Sequence, residues 1–222
     1  MIIAIDGPAG SGKSTVAKLV ANKLGFIYID TGAMYRAITI KALMYKADIR
    51  NAKKMVELTR KSRITLDYKK NGRLKVILDG KNISQEIRKP IVTRFVSDIA
   101  KISGVRKLML KLQRALGHRK DCVLEGRDIG TVVFPKAERK FFLDANFKER
   151  VRRRFEELRS VRDNDSVSFK SVAQDLRNRD RIDSTRKIAP LKKADDAIFI
   201  DTTKLNIEQV VARILSYIKK SG

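Results

Sequence analysis

The segment Gly7-Pro8-Ala9-Gly10-Ser11-Gly12-Lys13-Ser14 follows a short apolar run, residues 2–5 (IIAI), and leads directly into a helical pattern. Its spacing, G-x-x-x-x-G-K-[ST], marks a phosphate-binding loop, which works only between a buried strand and a helix. Glycines let the backbone curl so that its N–H groups point inward as an anion nest. The helix that follows aims the positive end of its dipole at the same place. Lys13 then reaches the β- and γ-phosphates of a nucleoside triphosphate, and the Ser14 hydroxyl ligates Mg²⁺. An ordinary glycine-rich turn would account for the glycines, but not for Lys13 and Ser14 with both flanks in place.

Such a loop demands an open, mostly parallel sheet, and the chain is patterned to supply one. Residues 14–24 place Val16, Leu19, Val20 and Leu24 on one helical face before Gly25 ends the helix. A second buried strand over 26–29 and a helix over 33–45 continue the strand–helix alternation of a parallel sheet. The middle differs. Two β runs, 63–68 and 73–78, flank Lys69-Lys70-Asn71-Gly72, and Asn-Gly is a strong hairpin signal. Asp79-Gly80 offers a second turn into 81–83, and helices are expected near 90–102 and 104–117. The α/β pattern resumes with strands at 123–124 and 140–143 and a helix over 147–159. A polar stretch, 160–190, carries helical content around 168–178, and a last strand spans 197–200. Ile207, Val210, Val211, Ile214, Leu215 and Ile218 form an amphipathic closing helix, with Asn206 as N-cap and Gln209 three residues on. The expected fold class is α/β: a three-layer P-loop NTPase fold with a central parallel sheet, a helical lid and a small antiparallel β insert.

Composition narrows the setting. With 43% hydrophobic and 34% charged residues the chain is globular rather than disordered. No apolar run approaches the roughly 20 residues a bilayer requires, so no membrane partner is expected. The opening MIIAIDG lacks the basic start of a signal peptide. The single cysteine, Cys122, permits no intrachain disulfide, which fits a reducing cytoplasm. It sits in the strand pattern DCVLEG and reads as a small core residue. The net charge of +25 implies attraction for anions. Residues 148–187 hold 13 Lys/Arg against 8 Asp/Glu, close to what even spreading would give such a window. Aromatic residues do not interleave with the basic ones as a base-stacking platform requires. Anionic small-molecule substrates, with no specific nucleic acid, are the expectation; a monomer is the default.

Further clusters lie where ligands bind in open parallel sheets, at strand C-termini. Asp30-Thr31-Gly32-Ala33-Met34-Tyr35-Arg36 follows the second strand, and Glu125-Gly126-Arg127-Asp128-Ile129-Gly130-Thr131 follows a later one. Each sets an arginine beside a glycine turn, suited to a bidentate phosphate clamp. Glu125 stands where an acid could hold water on Mg²⁺. Arg179-Asp180-Arg181-Ile182-Asp183-Ser184-Thr185-Arg186 puts three arginines and two acids in a polar loop region, where a mobile lid would bring cations to a transferring phosphoryl group. His118 has no partner pattern and reads as an exposed helix-end residue.

Together GPAGSGKST, DTGAMYR, EGRDIGTVVFP and RDRIDSTRKIAPL resemble the bacterial cytidylate kinases, P-loop enzymes that phosphorylate CMP and dCMP from ATP, nearly end to end. The resemblance implies ATP binding by Gly7 through Thr15, with Arg150 and Arg154 of KERVRRRF near the nucleotide. It implies CMP binding by Thr31, Tyr35, Arg36, Ser97, Arg106, Arg127, Asp128, Arg179, Asp183 and Arg186. Arg36 and Arg127 would clamp the monophosphate, and Asp128 would recognise the cytosine amino group with Ser97 and Arg106. Asp183 would hold the sugar hydroxyls, while Lys13, Arg127, Arg179 and Arg186 would act on the phosphates. Many relatives have Asp where Glu125 stands. The implied layout is one kinase unit: a core of 1–30, 119–155 and 190–222, a monophosphate-binding region of 31–118 with its β insert about 63–90, and a lid of about 156–189. Another small-acceptor P-loop kinase, for UMP, AMP or shikimate, is the alternative within enzymes. A basic nucleic-acid binder that retains a nucleotide site is the alternative outside them.

Overall fold

Alternating side chains along the first strand build the core. In β1 (Ile2–Asp6), Ile3 and Ile5 point to one face of the sheet, where they pack with Val16, Ala17 and Val20 of α1 (Lys13–Leu24) and with Val210, Val211 and Ile214 of α8 (Ile207–Lys219). Ala4 points the other way, with Leu124, Ile129, Val133 and Phe134. This is the period-2 pattern of a strand buried on both faces. The computed structural model describes residues 1–68, 74–160 and 168–219.

The central sheet has five parallel strands in the order β2-β6-β1-β7-β8, with β2 (Ile27–Asp30), β6 (Cys122–Gly126), β7 (Arg139–Asp144) and β8 (Ile198–Asp201). Its middle strand is β1, so the phosphate-binding loop leaves from the centre of the molecule. The C-terminal ends Asp6, Asp30, Gly126 and Asp144 lie side by side at one edge, as the registers Asp6↔Gly126 and Asp30↔Glu125 require. Cys122 is buried, its thiol donates to the Gly117 carbonyl at 3.4 Å, and burial pushes it up to about 11. The closing helix carries the expected reciprocal cap: Asn206 Oδ1 accepts from Gln209 N–H at 2.8 Å, and Gln209 Oε1 from Asn206 N–H at 2.9 Å.

A second hydrophobic cluster lies beside the sheet. It joins α2 (Thr31–Met44), α3 (Ala52–Arg60), α4 (Pro90–Ala100) and α5 (Ser103–Gly117) to an antiparallel sheet of β3 (Ile64–Tyr68), β4 (Leu74–Leu78) and β5 (Lys81–Asn82). The β3–β4 pairing has the antiparallel register expected of a hairpin, Ile64↔Leu78 through Tyr68↔Leu74. The Asn71-Gly72 turn itself lies outside the described residues. Sequence reading passed over α3, although Asn51 caps it (its side chain accepts from Lys54 N–H at 3.0 Å) and Met55 and Leu58 make its buried face. Buried Lys41 pins the small sheet to α2, pairing with Asp79 at 2.7 Å and donating to the Lys61 carbonyl at 3.0 Å.

The lid region corrects one expectation. The arginine-rich run 179–185 is not loop: α7 spans Phe169–Thr185 and packs against α6 (Phe147–Ser160) and α4. Val172 and Leu176 anchor it in a small apolar cluster with Ala9 and Val151. The charged residues occupy the remaining faces of one helix, which is why composition alone resembles a loop.

Candidate active site

The phosphate-binding loop is shaped by what fits beneath it. Gly7 has φ 154°, and a Cβ there would run into the carbonyl oxygen of Leu143 on β7. Gly10 has φ 78°, with the Arg150 carbonyl 2.8 Å from where its Cβ would stand. Only glycine fits either backbone. Lys13 Nζ donates to the Pro8 carbonyl at 2.9 Å across the loop. Burial, followed by the charge of Arg127, pushes the Lys13 ammonium down to about 7. Ser11 Oγ is buried with no hydrogen-bond partner among the described residues. At the start of α1, Ser14 Oγ donates to Glu125 Oε2 at 2.8 Å, while Tyr28 OH donates to Glu125 Oε1 at 2.5 Å.

Around this loop the fold gathers cations from three helices and a strand end. Arg36 comes from α2, Arg127 from the end of β6, Arg154 from α6 and Arg179 from α7. Burial lowers the Arg36 guanidinium, and Arg154 and Arg127 add repulsion. Arg179 is pushed down to about 9 by burial and then by Arg127 and Arg36; its Nε has no partner among the described residues. Like charges this close favour an anion between them. Arg36 uses one nitrogen, Nη1, on Thr93 Oγ1 at 2.8 Å and the Ile87 carbonyl at 3.2 Å. Arg127 Nε donates to Asp183 Oδ2 at 2.8 Å.

A second focus lies at Asp128. Its two oxygens accept from Arg106 Nη2 at 2.5 Å and Arg186 Nη2 at 3.3 Å. Arg106 also donates to the Ala100 carbonyl at 3.2 Å and lies over the Tyr35 ring, 5.8 Å from its centroid. Burial raises the Tyr35 hydroxyl to about 12, and Gln113 hydrogen-bonds to it. Ser97 is buried on α4, the helix that precedes α5 and Arg106. Tyr35, Arg106, Asp128, Asp183 and Arg186, distant in sequence, therefore meet in one place.

Other residues are placed differently from a simple reading of their motifs. Arg150 is buried beneath the loop, not open to it. It donates to the Ala9 carbonyl at 3.2 Å and the Ala145 carbonyl at 3.1 Å, and pairs with Asp180 at 2.6 Å and Asp144 at 3.4 Å. Thr31 gives its hydroxyl to the Glu125 carbonyl at 2.6 Å, stapling the ends of β2 and β6 together. Thr15, next to Ser14 on α1, is exposed. His118 is exposed at the end of α5, edge-on to Phe134 at 5.2 Å.

One residue escaped sequence reading. Asp6, at the end of β1, accepts from the backbone N–H groups of Ile129 at 2.8 Å and Gly130 at 2.7 Å. It thereby fixes the π-helical turn Ile129–Val133 that follows Arg127 and Asp128. The available signal was an acid ending an apolar strand just before the loop, a position where burial of a carboxylate demands donors.

A hard divalent cation would suit the Ser14 and Glu125 oxygens, an all-oxygen donor pair at the mouth of the loop. Asp30 lies nearby; burial and the Glu125 charge raise its carboxyl. Among the described residues no cluster of three or more His, Cys, Asp or Glu makes a closed metal cage. No described helix is long and apolar enough to cross a membrane.

Comparison with known proteins bears on the family of the chain. A family model described as cytidylate kinase matches residues 3–220. A cytidylate kinase of Caldanaerobacter subterraneus subsp. tengcongensis is 49% identical over 99% of this chain and 95% of its own. One from Bacillus licheniformis is 47% identical over 100% of this chain and 97% of its own. Among solved structures, shikimate kinase from Acinetobacter baumannii in complex with shikimate aligns with 99% of this chain and 93% of its own, at a TM-score of 0.50 and 16% identity. That last likeness shows the fold alone.

Proposed function

The chain belongs to the cytidylate kinase family, and from that premise we propose that it transfers the γ-phosphoryl group of ATP to the 5′-phosphate of CMP or dCMP, giving CDP or dCDP. The observation that carries the reading is the paired focus of the site. Lys13, Arg36, Arg127, Arg154 and Arg179 converge beside the phosphate-binding loop, and Asp128 is aimed by Arg106 and Arg186 a short distance away. The first set suits polyphosphate, the second a base that offers an amino group.

The acceptor oxygen is already anionic, so no general base is required. The residues must align two anions and offset their repulsion. Gly7 to Thr15 would hold the ATP phosphates, with Lys13 on the β- and γ-groups. Arg36 and Arg127 would clamp the monophosphate, and Arg179 and Arg186 would steady the charge that moves between them. Asp128 would accept from the cytosine N4 amine, a pairing of carboxylate and exocyclic donor, with Ser97 and Tyr35 walling the base. Asp183 would accept from the sugar hydroxyls. Ser14, directly, and Glu125, through water, would hold Mg²⁺. When bound, that ion offsets phosphate charge and fixes its geometry. Arg150 supports this reading as a brace beneath the loop, and Arg154, beside Arg36 and Arg179, as the member of its pair that faces the phosphates.

The structure also supports reading α7 as the moving part. It carries Arg179 and Asp183, with Arg186 just past its end, and meets the core through ion pairs to Arg127, Asp128 and Arg150. On that basis we assign residues of about 156–189 to a lid, 31–118 to the monophosphate-binding region, and the rest to the core.

A coupled assay of ADP release with ATP and Mg²⁺, offering CMP, dCMP, UMP, AMP and GMP in turn, tests the proposal. Turnover concentrated on CMP and dCMP supports it. Turnover with another acceptor keeps the phosphoryl chemistry but removes the roles given to Ser97, Arg106 and Asp128.

A further inference from the structure

The net charge of +25 is not shared evenly along the chain. Residues 41–120 hold 23 Lys/Arg against six Asp/Glu, a net of +17, while the other 142 residues carry the remaining +8. The even share found over 148–187 is a property of that window alone. Within this basic stretch the bias is steepest at the end: residues 101–120 contain seven Lys/Arg and no acid. Charge asymmetry of this kind points to a polyanionic partner rather than to catalysis.

The fold turns this run into a face. Along α5, Lys107, Lys111 and Arg114 are exposed at helical spacing, and Arg119 and Lys120 continue just past its end. None of these five has an ion-pair partner among the described residues; Arg114 spends its nitrogens on the neutral carbonyls of Val132 and Val133. Arg106, by contrast, is buried and belongs to the active site. Gly104 lets α3 lie tightly alongside, because any Cβ there would run into Val56. That helix adds exposed Lys53 and Arg60, also without ion-pair partners among the described residues, and Lys54 and Lys61, which share Glu57. At 1.5 Å per residue, the helical stretch from 107 to 117 covers about 15 Å, room for several consecutive phosphates of a nucleic-acid backbone.

We propose that the α3–α5 face docks the phosphate backbone of nucleic acid, without reading sequence. Three features favour that partner over an anionic membrane. None of the large exposed apolar side chains lies on α3 or α5, whereas a helix that settles into a lipid interface needs an apolar face to insert. The chain has no tryptophan to anchor one. Lys107, Lys111 and Arg114 are also spaced along one line of α5 rather than spread around it. Absence of exposed aromatics on the face rules out base stacking as its mode and leaves counterion release.

The test uses the full chain and a fluorescein-labelled 20-base-pair DNA duplex, followed by anisotropy between 50 and 200 mM salt. Two triple variants with the same change in net charge are compared: K107E/K111E/K120E on the proposed face, and K23E/K204E/R213E on the α1–α8 side. With about four phosphates neutralised, affinity of the unmodified chain should fall roughly a hundredfold over this salt range. The α5 triple should bind far more weakly and lose less than about tenfold, because its slope drops by about one for each cation removed. The control triple should keep most of the slope, and both should keep kinase turnover as proof of folding. Equal loss in the two triples would reduce the effect to bulk charge and overturn the proposal. So would an absence of salt-dependent duplex binding, or binding only to phosphatidylserine vesicles.

Discussion

Arg127 and Asp183 meet at 2.8 Å, guanidinium Nε to carboxylate Oδ2, and so join the end of β6 to the last turn of α7. Both side chains are nearly buried, and Asp183 is also 3.7 Å from Arg186. Burial alone would raise the Asp183 carboxyl, but the charges of Arg127 and Arg179 outweigh it and hold the group below the ordinary carboxylate range. Removing one partner of such a pair strands the other charge, at a typical cost of about 3 kcal/mol. Asp183→Ala should therefore lower unfolding stability by roughly that amount at pH 7, read from urea midpoints. An unchanged midpoint would mean the pair contributes nothing net.

The sign of the pH effect follows from the same depression. A carboxyl held below its unfolded value, about 4, stabilises the fold above that value and loses its contribution as pH falls through the native one. Stability of the unmodified chain should decline below about pH 4. Asp183→Ala should show a shallower decline over the same window, since one of the linked protons is gone. Parallel acid profiles for the two proteins would contradict this account.

Asp6 makes a separable prediction. Asp6→Asn replaces one acceptor by an amide N–H₂ that faces a backbone N–H, so the turn after Asp128 must shift. The loss in stability should be about 1–3 kcal/mol. Because that turn carries no part of the phosphate-binding loop, KM for CMP should rise roughly tenfold while KM for ATP changes less than about twofold. Equal changes in both constants would show a general loosening instead.

Asp128→Ala takes the shared partner from Arg106 and Arg186 and the acceptor from the base. A hydrogen bond to a charged group is worth about 1.5–3 kcal/mol, so KM for CMP should rise roughly tenfold to a hundredfold, with KM for ATP little changed. Steady-state kinetics with each substrate varied in turn would decide it.

Lys13→Ala should abolish turnover while leaving the fold at least as stable. The ammonium is buried and pushed down to about 7, so below its unfolded value of about 10.4 the native state binds that proton less readily than the unfolded one. Stability of the unmodified chain should accordingly rise between about pH 7 and 10, and the variant should lack that component. Near-normal turnover in Lys13→Ala would remove the loop from the mechanism.

Short-range signals were the legible ones. The strand–loop–helix of residues 2–24, the antiparallel pairing of β3 with β4 and the Asn206–Gln209 cap each depend on neighbours within a few residues. What stayed hidden depends on distant partners. Arg150 and Asp180 are 30 positions apart, and Asp6 finds its donors more than 120 positions away. Nothing local distinguishes an arginine that reaches a nucleotide from one that braces a loop from below. The extent of α7 was missed because Val172 and Leu176 are its only buried apolar residues, and a helix whose other residues are mostly polar or charged has the composition of a loop.

The seclusion of Cys122 has a practical side. It is the single cysteine of the chain, buried behind the Gly117 carbonyl with its thiol pushed up to about 11, so it offers almost no thiolate to an electrophilic dye. Ser184 is exposed on α7, one position from Asp183. A cysteine placed there by Ser184→Cys would be the one reactive thiol on an otherwise native background. Probes could then be attached to the helix that carries Arg179 and Asp183, and its motion timed during turnover without first removing a natural cysteine.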